Sequence, residues 1–168
     1  MGVNEFSRES GGKMSQDQHN EAAIPNPALQ PWKMFVGQWT TIGKHRLRPD
    51  LILHGHASFS WLEGGAFMIM HAEVEEEGFP SSIAILGSDD AIERFFMLYF
   101  DERGVSRRFE TTLQANTWKF WRDAPGFSQR FTGTIDETGE TFSVVGELSE
   151  DDATWKRDIE TKYTRIRE

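Results

Sequence analysis

The residues most ready for chemistry in this chain are His54 and His56, two positions apart, with His71 and Glu73 further on. On a strand, residues i and i+2 point the same way, so two imidazoles so placed could grip one metal ion with a third ligand beside them. A second set occupies alternate positions near the C-terminus: Trp155, Arg157, Ile159, Thr161, Tyr163 and Arg165. If that face is interior, its guanidinium groups must meet an acid, stack on an indole or hold an anionic ligand, because an unpaired charge in a dry core is too costly. Arg165 is expected to stack on Trp39 as a structural plug. Arg157 is expected to meet either a ligand carboxylate or an internal acid, and Arg107, Arg108 and Arg130 could add to the same patch. The carboxylates are a third set. The run Glu73-Val74-Glu75-Glu76-Glu77 ends a strand at a turn and reads as a charged rim. Glu110 is the acid placed to point inward, and with Tyr99 or an inward arginine it could serve a cofactor-free isomerase or hydrolase. There is no Gly-x-Ser-x-Gly elbow, no His-Glu-x-x-His, no phosphate loop and no dinucleotide fingerprint.

Strands must position these groups. From Val36 onward, apolar and polar residues alternate in segments separated by turn residues, with no sustained helical period. Ten strands are expected, at roughly 36–45, 50–62, 66–76, 81–88, 93–101, 104–114, 116–122, 127–136, 140–149 and 153–165. Their short connections require each strand to pair with its predecessor, and closure into a barrel removes the two edges that would otherwise stay exposed. Ahead of them, Asn26-Pro27 is a helix start, with Leu29, Trp32, Lys33 and Val36 at helical spacing and Leu29 and Trp32 facing a barrel mouth. The Gly37-Gln38-Trp39 that follows is a structural signature, the Trp packing at the closed end.

One hairpin can be solved from the sequence. A two-residue primed turn at Gly64-Gly65 pairs Trp61 with Met68 and Phe59 with Met70. Leu51, Leu53, Ala57, Phe59 and Trp61 then share an apolar face with Met68, Met70, Ala72 and Val74, while His54, His56, Ser58 and Ser60 share the other with His71, Glu73 and Glu75. A slip of one residue would mix the two classes. This register turns the histidines outward, so no metal site is expected. The inner wall is Met-rich, which suits an adaptable pocket. Beyond this hairpin the alternation does not assign faces to strands five to nine.

The totals narrow the function further. Residues 1–25 are polar and lack an apolar signal segment, and they read as a flexible tail; residues 26–168 form one domain. The chain has no cysteine, which removes disulfides and thiolate chemistry. With 27 acidic against 18 basic residues, the net charge of −9 disfavours nucleic acid, and no stretch is apolar enough to span a membrane. A cytoplasmic protein is expected. Thirteen Phe and six Trp need burial, and a ten-stranded barrel is wide enough to keep a cavity after side chains line it.

The stretch Phe35-Val36-Gly37-Gln38-Trp39-Thr40-Thr41-Ile42-Gly43, the hairpin Trp61-Leu62-Glu63-Gly64-Gly65-Ala66-Phe67, the turn Phe100-Asp101-Glu102-Arg103-Gly104 and the closing Trp155…Tyr163-Thr164-Arg165 resemble an uncharacterised bacterial family of calycin-like barrels, related in style to lipocalins, fatty-acid-binding proteins and nitrobindins. The resemblance covers about residues 27–166 and implies an all-β, ten-stranded antiparallel meander closed into a cup, with a short N-terminal capping helix. It implies an apolar small molecule inside; with the Met-rich wall, the barrel width and the Arg157/Tyr163 face, the expected ligand is small and apolar, fatty-acid-like where it is anionic, and no chemistry of the protein's own is expected. The residues expected to line the site are Phe59, Trp61, Met68, Met70, Tyr99, Phe109, Trp118, Arg157 and Tyr163. No cofactor is expected: the nitrobindin branch would imply haem, but its ligand is a histidine near the C-terminus, and this chain has no histidine after His71, leaving His45, His54, His56 and His71. A homodimer through the tail or through the outward Phe67 and Ile69 would be the mark of an interaction module instead.

Overall fold

The computed structural model describes residues 23–167. The expected tail lies outside the described residues except for positions 23–25, and Asn26 already hydrogen-bonds the barrel, its N–H donating to the Gly65 carbonyl at 2.9 Å. Ten antiparallel strands close into a barrel in simple sequence order: β1 (Gly37–His45), β2 (Arg48–Leu62), β3 (Phe67–Val74), β4 (Ser82–Asp89), β5 (Arg94–Asp101), β6 (Ser106–Gln114), β7 (Thr117–Arg122), β8 (Ser128–Ile135), β9 (Thr141–Ser149) and β10 (Lys156–Arg165). The final pairing, β10 on β1, sets Trp39 opposite Arg165, Thr41 opposite Tyr163 and Gly43 opposite Thr161. Among the described residues no strand edge is left unpaired, which is what closure achieves. No helix among the described residues is long and apolar enough to cross a membrane.

The β2–β3 register is the one the alternation requires, with Trp61 on Met68, Phe59 on Met70 and Ala57 on Ala72. Gly64 and Gly65 both take positive φ, 68° and 97°, and the Ala66 N–H donates to the Glu63 carbonyl at 3.3 Å. Glu63 also enters the left-handed region, at φ 48°, so the ladder stops at Leu62 and Phe67.

The expected short N-terminal helix is present, wound more tightly than the Leu29, Trp32, Lys33 and Val36 spacing implies. Pro27–Phe35 is a 3-10 helix, and its buried residues are Leu29, Trp32 and Phe35. A spacing of three keeps side chains in line on a helix of three residues per turn, and Pro31 removes one N–H that an α-helix would use. Phe35 is therefore the third buried side chain in place of Val36, which caps the helix. The Asn26 side chain accepts from the Ala28 N–H at 3.0 Å and starts the helix.

This helix closes one end of the barrel. Phe35 packs on Phe59, Trp118 and Phe142 at 5.6, 5.1 and 5.3 Å, and Trp32 sets its edge on Trp118 at 5.5 Å. Trp39 meets Phe142 edge-on at 4.8 Å and donates its indole N–H to the Phe35 carbonyl at 2.9 Å. Arg165 lies over the Trp39 ring at 4.1 Å and donates to the carbonyls of Val36, Met34 and Gly139. Gly37 is needed beneath it: its φ is +134°, and a Cβ there would come within 2.8 Å of the guanidinium.

Candidate functional site

The opposite end, bounded by the β1–β2, β3–β4, β5–β6, β7–β8 and β9–β10 connections, carries no such plug among the described residues. Inward-facing side chains above the floor keep accessible surface: Met70, Ala72, Tyr99, Phe120, Phe131 and Tyr163 are half-buried, whereas the floor residues Phe59, Met68, Trp118 and Phe142 are sealed. The interior is thus a cup. One wall is aromatic. Phe120 stacks on Phe131 at 4.5 Å, and Phe109 meets Phe120, Phe131 and Tyr99 edge-on at 5.7, 5.9 and 6.5 Å. The wall five strands away is lean, built from Thr41 and Gly43 on β1, Gly55 and Ala57 on β2 and Thr161 on β10. Small residues facing rings leave space that a uniformly bulky interior would fill.

Two polar clusters sit toward the mouth. In the first, the Asp101 carboxylate is fully enclosed and accepts from the Tyr99 hydroxyl at 3.0 Å, the Arg103 backbone N–H at 3.0 Å and the Arg103 guanidinium at 2.7 and 3.3 Å. Arg103 above all holds this carboxyl well below the usual range, against the opposing effect of burial. Burial, and then the hydrogen bond to a carboxylate, push the Tyr99 phenol up. The cluster is internally satisfied.

In the second cluster, Arg107 and Arg122 flank the buried Gln129, which is the register partner of Arg122. Arg107 donates to the Gln129 side-chain oxygen at 3.0 Å and lies 5.1 Å from the Phe127 ring. Burial first, and the like charge of Arg122 next, press its guanidinium below the ordinary value. Among the described residues, neither arginine has a carboxylate within 4.0 Å. An open depression of about 420 Å³ lies beside them on the rim, bordered by Ser106, Arg108, Glu110, Trp121 and Asp123. A second, of about 360 Å³, runs along residues 47–51 and touches neither cluster.

No protein-family model and no curated protein matches this chain. Among solved structures, the crystal structure of Rv2717c from M. tuberculosis is similar, with a TM-score of 0.60 and 13% identity over 86% of this chain and 100% of that one. The likeness is one of fold.

The structure divides the residues that the sequence nominated. Met70, Tyr99 and Tyr163 line the cup with partly accessible side chains and Phe109 is buried in its wall, while Phe59, Met68 and Trp118 belong to its sealed floor, and Trp61 faces inward at the closed end. The Trp118 indole N–H is spent on the Thr111 hydroxyl at 2.8 Å.

Arg157 must be corrected: it stands outside the barrel, exposed, paired with Glu160 at 3.3 Å. The cause is a β-bulge. Arg157 pairs with the outward Glu147 and Ile159 with the inward Gly146, so Asp158 is an extra residue and the alternation counted back from Arg165 breaks there. The Asp158 carboxylate lies 3.5 Å from Arg46 and 3.8 Å from His45, and its carbonyl accepts the Arg46 N–H at 2.8 Å, so the bulge fastens β10 to the β1–β2 hairpin.

Glu110 is also outward, 3.6 Å from Arg108, opposite Trp121 and Phe96. Of the histidines, His54 pairs with Glu76 at 2.8 Å and His56 with Glu75 at 3.6 Å on the outer face, and His71 is exposed beside them. His45 reaches the mouth, where its Nδ1 accepts the Leu47 N–H at 3.2 Å and its ring meets Phe79 at 5.5 Å. Among the described residues, no group of three His, Asp or Glu is arranged to hold a metal ion.

Arg107 is reached from the sequence only as an addition to the Arg157 patch, and Phe120, Phe131, Arg122 and Gln129 are not reached as lining at all. Register carried across the hairpins would have found them, because Gln114 pairs with Thr117 and Arg122 with Gln129, which places Phe109, Phe120 and Phe131 on one face with Arg107.

Proposed function

We propose that this barrel binds a small apolar molecule bearing an anionic group, after the manner of calycin-like carriers, with the apolar body in the cup and the anion at Arg107 and Arg122. The observation that carries the reading is Arg107: an inward-facing, half-buried guanidinium bonded to a neutral amide and repelled by a second arginine, with Asp101 acting on it only from a distance and no carboxylate within 4.0 Å among the described residues. A charge so desolvated is favourable when a counter-ion completes it. The aromatic wall below supplies the apolar complement. An enzymatic reading has less support, because the enclosed acid near the mouth, Asp101, is held low by Arg103, the reverse of what a general acid needs, and Glu110 faces out.

The test is displacement of a fluorescent fatty acid, alongside native mass spectrometry of protein as purified. Arg107→Met should weaken binding about 10- to 100-fold, the loss of one charge-assisted contact worth about 1.5–3 kcal/mol. Arg157→Met should leave it unchanged. A wild-type protein that binds no such probe and carries no small molecule, or an Arg107→Met variant that binds as tightly as wild type, refutes the proposal.

A further inference from the structure

Opposite the aromatic wall, the lean wall carries three hydroxyls. Thr41 and Tyr163 are register partners on β1 and β10, and Thr161 lies one inward position along β10 from Tyr163. All three face the interior and are half-buried. Tyr163 stacks face to face on Phe142, its register partner on β9, at 4.1 Å, which ties its ring to the floor. Burial alone pushes that phenol up to about 12; no hydrogen bond contributes. None of the three hydroxyls bonds another described residue, whereas the outward Thr40 donates to the Thr164 carbonyl at 3.4 Å. They are not sealed in, since the buried side-chain polar atom without a partner is the Trp32 indole nitrogen, not any of these oxygens. Their neighbours keep the strip bare: the Thr41 hydroxyl lies over Gly55 and the Thr161 hydroxyl over Gly43, where any side chain would come within 3.1 Å of them.

Polar groups in an apolar cup must be satisfied by something, water or ligand. We infer that Thr41, Thr161 and Tyr163 recognise a neutral oxygen at the inner end of the ligand. The preferred occupant is then a carboxylic acid with a hydroxyl or keto oxygen remote from its carboxylate, rather than an unsubstituted fatty acid. This rests on the carrier reading above: the carboxylate is taken at the mouth by Arg107 and Arg122, the remote oxygen at the bottom by the hydroxyl strip. An unsubstituted chain would displace water from the three hydroxyls and return no hydrogen bond, and a hydrogen-bonding site discriminates against such an analogue.

A chain-length series of ω-hydroxy and ω-oxo fatty acids, each beside its unsubstituted counterpart, tests this by competition with a fluorescent probe. Wild type should prefer the oxygenated member by about 3- to 10-fold at the best length, the effect of one net hydrogen bond. The preference should shrink in Tyr163→Phe and vanish in the triple variant Thr41→Val/Thr161→Val/Tyr163→Phe, the oxygenated acid losing affinity and the unsubstituted acid gaining it as the unpaired hydroxyls are removed, while a cooperative thermal melt shows that the variants fold. If wild type binds both classes equally, or if the preference survives in the triple variant, the inference fails and the carrier reading stands. If neither class binds at any length, both fall. Should the triple variant not fold, the wild-type preference and the Tyr163→Phe variant decide.

Discussion

Arg165→Ala is the sharpest test of how the barrel is held shut. Arg165 joins the end of β10 to the end of the 3-10 helix and to the β8–β9 turn through bonds to Met34, Val36 and Gly139 at 2.6, 2.8 and 3.2 Å. It also covers Trp39 at 4.1 Å. Taking the three bonds together as about 2 kcal/mol, because the side chain is partly exposed, and the cation–π contact as about 1, the loss is about 3 kcal/mol. For a chain of this size that is a fall of about 6–12 °C in melting temperature.

Differential scanning calorimetry reads it directly, and Arg165→Lys should recover only part, since an ammonium cannot reproduce the fork. Gly37 makes the test stricter. Gly37→Ala should destabilise through its φ of +134° and through collision with the Arg165 guanidinium, and the collision disappears once Arg165 is truncated. The double variant should therefore be more stable than the sum of the singles implies. A melting temperature for Arg165→Ala within about 2 °C of wild type would show that Arg165 is not the lock, and strict additivity in the double variant would show that the guanidinium gives way to a Cβ at position 37.

Two further outcomes follow from groups away from the plug. Asp101 has its folded-state pKa lowered, so its contribution to stability is fully present above the ordinary carboxylate pKa of 3.8 and is lost as pH falls through the depressed folded value. Asp101→Asn should cost about 2 kcal/mol at neutral pH and flatten the acid limb of a denaturation curve, and an unchanged acid limb would refute the assignment. Gly55→Ala should destabilise by about 2–4 kcal/mol or prevent folding, because a Cβ there would overlap the Glu73 carbonyl across the β2–β3 ladder; a urea midpoint equal to wild type would contradict that close approach.

What the sequence determined by itself is the part of the fold written in local pattern. Strand number, the order of pairing, the β2–β3 register and the outward histidines all follow from alternation and turn chemistry, because a one-residue slip would bring charge into the core. The Gly-x-Trp and the terminal arginine likewise carry their chemistry in their types and end positions. Local pattern could not reveal where that alternation is interrupted. The bulge at Asp158 puts Arg157 outside, and the groups Asp158 meets there, Arg46 and His45 at the end of the neighbouring β1, lie more than a hundred positions earlier in the chain. Nor could it show that Arg107 would bond Gln129 beside Arg122 with no carboxylate within 4.0 Å, or that the aromatic wall would face glycines and hydroxyls. Those are relations between strands far apart in sequence, set by closure of the sheet, and closure is a property of the whole tertiary structure.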